Sequence, residues 1–126
     1  MQIIEMVGRI ILGGFFIMSG MNHFTKMSMM VGAAMKNNIP IPKTSVAISG
    51  LVMIAGGLGI LLWVYPGLAS AGLALFLVAA SFTMHKFWTL KNAAPETQMS
   101  QMRYFMGNMA LCGALLILIS LNGGLF

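Results

Sequence analysis

Four stretches of the chain run apolar almost without interruption, over residues 3–24, 44–63, 66–86 and 104–122, and the polar positions collect between them. Each is close to the ~20 residues that a helix needs to cross the hydrocarbon of a bilayer. In that solvent every backbone N–H and C=O must be satisfied within the protein, which leaves helices or closed barrels. None of the four shows the two-residue alternation of a barrel strand. The pattern predicts an all-α integral membrane protein, a four-helix bundle forming a single domain over residues 1–126. The first segment is longer than the ~7–15-residue apolar core of a signal peptide. It also contains Glu5 and Arg9 and ends in Asn22-His23-Phe24 in place of small cleavage-site residues, so a mature helix is expected.

The connections follow from local chemistry. "MSMMVGAAMKNN", 27–38, is apolar but too short to span, and reads as a short helix along the membrane surface. Pro40 and Pro42 with Lys43 and Thr44 are expected to stop one segment and cap the next, with threonine accepting from the first turn. "WVYPG", 63–67, leaves room only for a tight hairpin, and Trp63 and Tyr65 suit the membrane interface.

Composition agrees with this solvent: 59% of residues are hydrophobic, 7% are charged, and the mean hydropathy is +0.91. A soluble domain carries about 25% charged residues. The net charge of +5 describes topology rather than nucleic-acid binding. Lys26, Lys36 and Lys43 lie in one connection, and Lys86, Lys91 and Arg103 bracket another on the same side. The positive-inside rule then places loops 25–43 and 87–103 in the cytoplasm, with both termini outside.

His23 and His85 end alternate spans and should lie at similar depth, in a layer with Asn22, Trp88, Tyr104 and Asn108. Such residues commonly anchor helix ends in headgroups, but Asn108 falls more than a turn inside the last segment and calls for a polar partner. At the other end Glu5 and Arg9 are spaced i, i+4 with the acid first, the favourable order for an ion pair. An intramembrane charge is a functional candidate, and an arginine that snorkels outward to pair with Glu5 is the structural counterpart.

Several chemistries lose support. Gly13, Gly14, Gly50, Gly56, Gly57, Gly67, Gly107 and Gly113 read as close-packing positions, with no GxGxxG or GxxxxGK[ST] pattern. Cys112 is the single cysteine, so the chain has neither a CxxC relay nor an internal disulfide. Glu5 and Glu96 are the two acids and fall on opposite sides, against a self-contained hydrolase. Met99, Met102, Met106 and Met109, with Met27, Met29 and Met30, offer soft thioethers to Cu(I), although such stripes more often serve apolar packing. A b-type haem between His23 and His85 is a further arrangement. Neither spacing specifies a ligand set, and no metal site is assigned. "NHFTK" and "HKFW" hint at two related helical hairpins.

"GRIILGGFFIMSGMNHF" at 8–24, "IPIPKTSVAISGLVMIAGGLGILL" at 39–62, "HKFW" at 85–88 and "GNMALCGALLILI" at 107–119 together resemble the DoxX family of small membrane proteins. The SGxNHF and HxFW elements are its most specific parts. The resemblance implies a four-helix membrane domain associated with redox assemblies, including a terminal quinol oxidase and thiosulfate:quinone oxidation. It singles out Arg9, Ser19, Gly20, Asn22, His23, Phe24, Gly56, Gly57, His85, Phe87, Trp88, Asn108 and Gly113. Where the family commonly has Lys-Asn before the last apolar run, this chain has Gly107-Asn108, which argues against a role needing a cation there. The expectation is a subunit of a respiratory or other oxidoreductase assembly in the bacterial plasma membrane. Its quinone, if bound, would be held by Asn22, His23, His85, Trp88 and Asn108. A non-enzymatic scaffold or assembly factor, working through a membrane-protein partner or a homo-oligomer, and a small-solute carrier are the alternatives. The topology has a direct check: a cysteine at Lys91 should resist an impermeant thiol reagent added from outside, and labelling from outside overturns the orientation.

Overall fold

The computed structural model describes residues 2–126 and is helical throughout: α1 Gln2–Thr25, α2 Met27–Lys36, α3 Pro42–Leu62, α4 Pro66–Met84 and α5 Pro95–Leu121, with a single 3-10 turn at Phe87–Thr89. α1, α3, α4 and α5 are each long and apolar enough to cross a membrane. Their outward faces are correspondingly greasy, with Ile4 76% and Leu75 73% exposed. In water such faces would be a liability, and in lipid they are the solvent-compatible surface. The chain is a multi-pass membrane protein.

Two of the boundary expectations are corrected. α5 begins at Pro95, nine residues before the apolar run, because Pro95 sits at the first helical position and Glu96 in the first turn, where each favours a helix start. Hydropathy alone hides this polar opening. Thr44 is not a cap: α3 starts at Pro42, and Ile41 occupies the cap position at φ 39° without a side-chain hydrogen bond. The Ser45 hydroxyl instead donates to the Pro40 carbonyl at 2.8 Å.

The order of packing is α1 on α3, α3 on α4, and α4 on α5, with α2 laid across α3. Phe16, Met53, Ile60, Leu73, Leu77 and Leu115 form the common core. Along the α1–α3 crossing, glycines meet in antiparallel register. A Cβ built at Gly57 would lie 2.7 Å from the Gly13 carbonyl oxygen, and one built at Gly20 would lie 2.7 Å from that of Gly50. Each pair of glycines on one helix is separated by two turns, which puts both contacts on one face. Removing the side chains lets the backbones touch, the usual device where lipid supplies no hydrophobic drive for association. Gly56 serves a different neighbour, receiving Leu73 of α4. Gly14, Gly107 and Gly113 have open space where a Cβ would stand, so they make no close approach within the chain.

The α3–α4 hairpin is tight because Val64 N–H donates to the Gly59 carbonyl at 2.9 Å, while Trp63 and Tyr65 adopt φ of 58° and 46°. Bulky residues rarely tolerate that region, and the surroundings must hold them there. The glycine crossing makes a matched prediction. Gly57→Ala should destabilise the bundle by about 1–3 kcal/mol through overpacking, whereas Gly14→Ala should be neutral or stabilising by up to about 1 kcal/mol. Reversible unfolding in mixed detergent micelles measures both.

Candidate functional site

The helix ends carry two polar clusters at opposite ends of α1. At the first, the Arg9 Nη2 donates to the Leu61 carbonyl at 3.0 Å, and its guanidinium carbon lies 5.1 Å from the centre of the Trp63 ring. Leu61 belongs to the last turn of α3, whose carbonyls lack helical partners and carry the negative end of the helix dipole. A cation fits there, and the Trp63 ring adds a cation–π contact. Trp63 is the C-cap of α3, and its left-handed backbone is that of a helix-terminating residue. The sequence-expected partner, Glu5, stands 4.0 Å from Nη1, an electrostatic neighbour beyond hydrogen-bonding distance. A cleft of about 410 Å³ opens here between α1 and α5, lined by Leu12, Ile117, Leu118, Leu121 and Asn122 together with Glu5 and Arg9.

The second cluster occupies the other end. A cavity of about 550 Å³ is lined by residues from all five helices, among them Ser19, His23, Met30, Ser49, Thr83, His85, Tyr104 and Asn108. α1 delivers His23 because Gly20 and Gly50 bring the helices together. A side chain at Gly50 would strike the His23 Cβ and the Phe24 ring. Both imidazoles are fixed at Nδ1, His23 by the Ser19 carbonyl at 2.9 Å and His85 by the Gln101 Oε1 at 2.8 Å. With an acceptor oxygen on Nδ1, a neutral imidazole carries its proton there and leaves Nε2 to accept. The ring of Tyr104 lies against His85, centroids 5.3 Å apart, and that of Phe76 against His23 at 6.4 Å.

Of the sequence candidates, the structure gathers His23, His85, Tyr104 and Asn108 around one cavity and leaves two outside its lining. Asn22 is exposed on the outer side of α1. Trp88 joins Phe82, Phe87 and Phe105 in an aromatic cluster, mostly edge-to-face with Phe82 tilted against Trp88 and centroids 5.2–5.9 Å apart, that straps the α4–α5 connection onto α5. Its ring contacts there are packing contacts. Gln101 was missed because it fell in an expected loop; the signal available was its spacing from Tyr104 and Asn108, three and seven residues, one helical face. Met30 reaches the cavity, whereas Met99, Met102 and Met106 are exposed on the outside of α5. Among the described residues no three His, Cys, Asp or Glu side chains converge as a metal site.

The chain belongs to the DoxX family: the family model matches residues 4–86, about two-thirds of its length, covering α1 to α4 and His85. The match is narrower than the sequence resemblance and stops before α5, so Gln101, Tyr104 and Asn108 lie beyond it. No curated protein and no solved structure matches the chain.

The Arg9 clamp yields a stability prediction. Arg9→Leu should cost about 1–2 kcal/mol, the usual range for losing a charge-assisted hydrogen bond to a half-buried carbonyl. Arg9→Lys should cost less, since it keeps the charge but loses the flat guanidinium that covers the indole. Detergent unfolding midpoints, with Trp63 emission as a local reporter, read out both.

Proposed function

We propose that this chain is a membrane subunit that holds a quinol at the histidine end of the bundle and works beside an electron-accepting partner in an oxidoreductase assembly. The assembly belongs to the bacterial plasma membrane, with loops 25–43 and 87–103 on the cytoplasmic side. The observation that carries this reading is the pair of imidazoles lining one largely apolar cavity, each with Nδ1 already committed. An unprotonated Nε2 accepts hydrogen bonds, and a quinol offers two hydroxyl donors where a quinone offers only acceptors. The reduced ligand is therefore the better match to the resting site. When its two electrons pass to the partner, its two protons need bases, and imidazole is the side chain suited to take them near neutral pH. The Asn108 amide and Tyr104 hydroxyl supply further polar contacts, and the apolar walls formed by Phe76, Leu77 and Met53 suit a flat ring and the start of an isoprenoid tail.

A scaffold role is a second reading with its own support, since α5 buries only Cys112 and Leu115 and leaves Gly107 and Gly113 open on its surface. A neighbouring membrane helix packs well on such a face. The carrier reading is weaker, because the main contacts of Arg9, with the Leu61 carbonyl and the Trp63 ring, hold the end of α3 in place.

Binding of a short-tailed quinol analogue to the purified chain in nanodiscs tests the leading reading. Two lost hydrogen bonds in a His23→Ala, His85→Ala double variant should weaken binding by about tenfold or more. Ser49→Trp, which fills the cavity while keeping both histidines, should weaken it as well. Unchanged affinity in both variants removes the quinol site.

A further inference from the structure

The cleft at the opposite end carries chemistry that the quinol reading does not use. Arg9 is about one-quarter exposed, and among the described residues only Nη2 of its three guanidinium nitrogens has a hydrogen-bond acceptor. Among those residues Nε is buried without a partner, and Nη1 has only the Glu5 carboxylate, 4.0 Å away. A guanidinium with spare donors at a membrane interface calls for an anionic oxygen, and phosphate is the common one there. A plain anion, however, would meet Glu5 as well as Arg9, since both line the same cleft. Like-charge repulsion from that carboxylate disfavours a ligand that carries negative charge alone.

A headgroup carrying both signs resolves the conflict. We propose that the Glu5–Arg9 cleft binds an aminophospholipid of the phosphatidylethanolamine type, with its phosphate on the Nη1 side of Arg9 and its ammonium on Glu5. The two charges of ethanolamine phosphate are joined by two carbons, a short tether suited to adjacent partners on one helix face. A primary ammonium donates hydrogen bonds to a carboxylate, which a quaternary choline cannot do. The cleft also opens in the right direction. α1 and α5 do not pack closely, Gly8 of α1 has open space where a Cβ would stand, and Leu12, Leu118 and Leu121 form an apolar wall against which the first acyl carbons lie. Its volume of about 410 Å³ takes a headgroup and the glycerol region, leaving the acyl chains in the surrounding bilayer.

The chain supplies its own reporter. It has two tryptophans, Trp63 and Trp88, and only Trp63 lines this cleft. In a Trp88→Phe background, Trp63 emission is recorded in vesicles containing equal mole fractions of brominated-acyl phosphatidylethanolamine, phosphatidylcholine or phosphatidylglycerol. The ethanolamine lipid should quench with a relative association constant at least about threefold above the other two, a modest value for a partly exposed pair of charge-assisted contacts. Glu5→Gln should abolish that preference and turn it towards phosphatidylglycerol, because only the cation then remains. Equal quenching by all three lipids, preference for phosphatidylglycerol in the unaltered cleft, or a preference indifferent to Glu5→Gln would each overturn the assignment. Water-soluble phosphoethanolamine should leave the quenching unchanged; displacement by it would show a site for the free headgroup rather than the lipid. The comparison among lipids with Glu5 in place decides the matter even if Glu5→Gln does not fold.

Discussion

Backbone contact between α1 and α3 is the constraint on which both ends of the molecule depend. The register runs from Gly20 against Gly50, through Gly13 against Gly57, to Arg9 against Leu61. A single antiparallel alignment therefore sets the position of His23 at one end and of Arg9 at the other. Had either crossing carried a side chain, the helices would stand further apart, and the guanidinium would lose both the last carbonyls of α3 and the Trp63 ring. Lipid offers no hydrophobic drive to close such a gap, so close approach and dispersion must do it. Glycine accordingly costs little here, although it is a poor helix former in general.

The two ends treat their polar groups differently. Arg9 caps a helix C-terminus, and this structural role accounts for its main hydrogen bond and its stacking. The histidine end is less committed: each ring is pinned by one acceptor while its other nitrogen stays free. Pinning one nitrogen and freeing the other orients a ring towards a ligand without saturating it, as second partners do for ligating histidines elsewhere.

Much of the fold was legible because a bilayer imposes a length and a polarity on each span. The four spans and the short helix after the first of them could be read from hydropathy. Pairing was less so. Gly13, Gly14, Gly50 and Gly57 look alike in sequence, yet Gly14 meets nothing and the other three meet backbone, since facing depends on register and register is a tertiary property. Trp63 read as an interface anchor, and nothing local announced that Arg9, 54 positions earlier in the chain, would lie under its ring. Trp88 lies near the histidines along the chain, but three phenylalanines from three different elements, α4, the 3-10 turn and α5, pack around it. In the packing, α1 pairs with α3 and α4 with α5, and a histidine stands at the end of the first helix of each pair.

The second hairpin completes the cavity by a different route from the first. α4 meets α5 not through glycine pairs but through small and thin residues, with Ala74 and Ser70 on one side and Cys112 on the other; the Cys112 Sγ lies 3.9 Å from the Ala74 carbonyl. That contact fixes the rotation of α5 about its axis. Cys112 turned towards α4 brings Asn108, four residues earlier, onto the same side, and Tyr104 and Gln101 follow at helical spacing. The early start of the helix at Pro95 is what makes this possible, because a chain still irregular at Gln101 could not hold its amide against His85. Tyr104 and Asn108 of the polar wall thus come from a helix outside the family match, while the imidazoles come from within it. The His23 ring is held from within the match, by Ser19, and the His85 ring from outside it, by Gln101, so a change in α5 alters the setting of one imidazole and leaves the other in place.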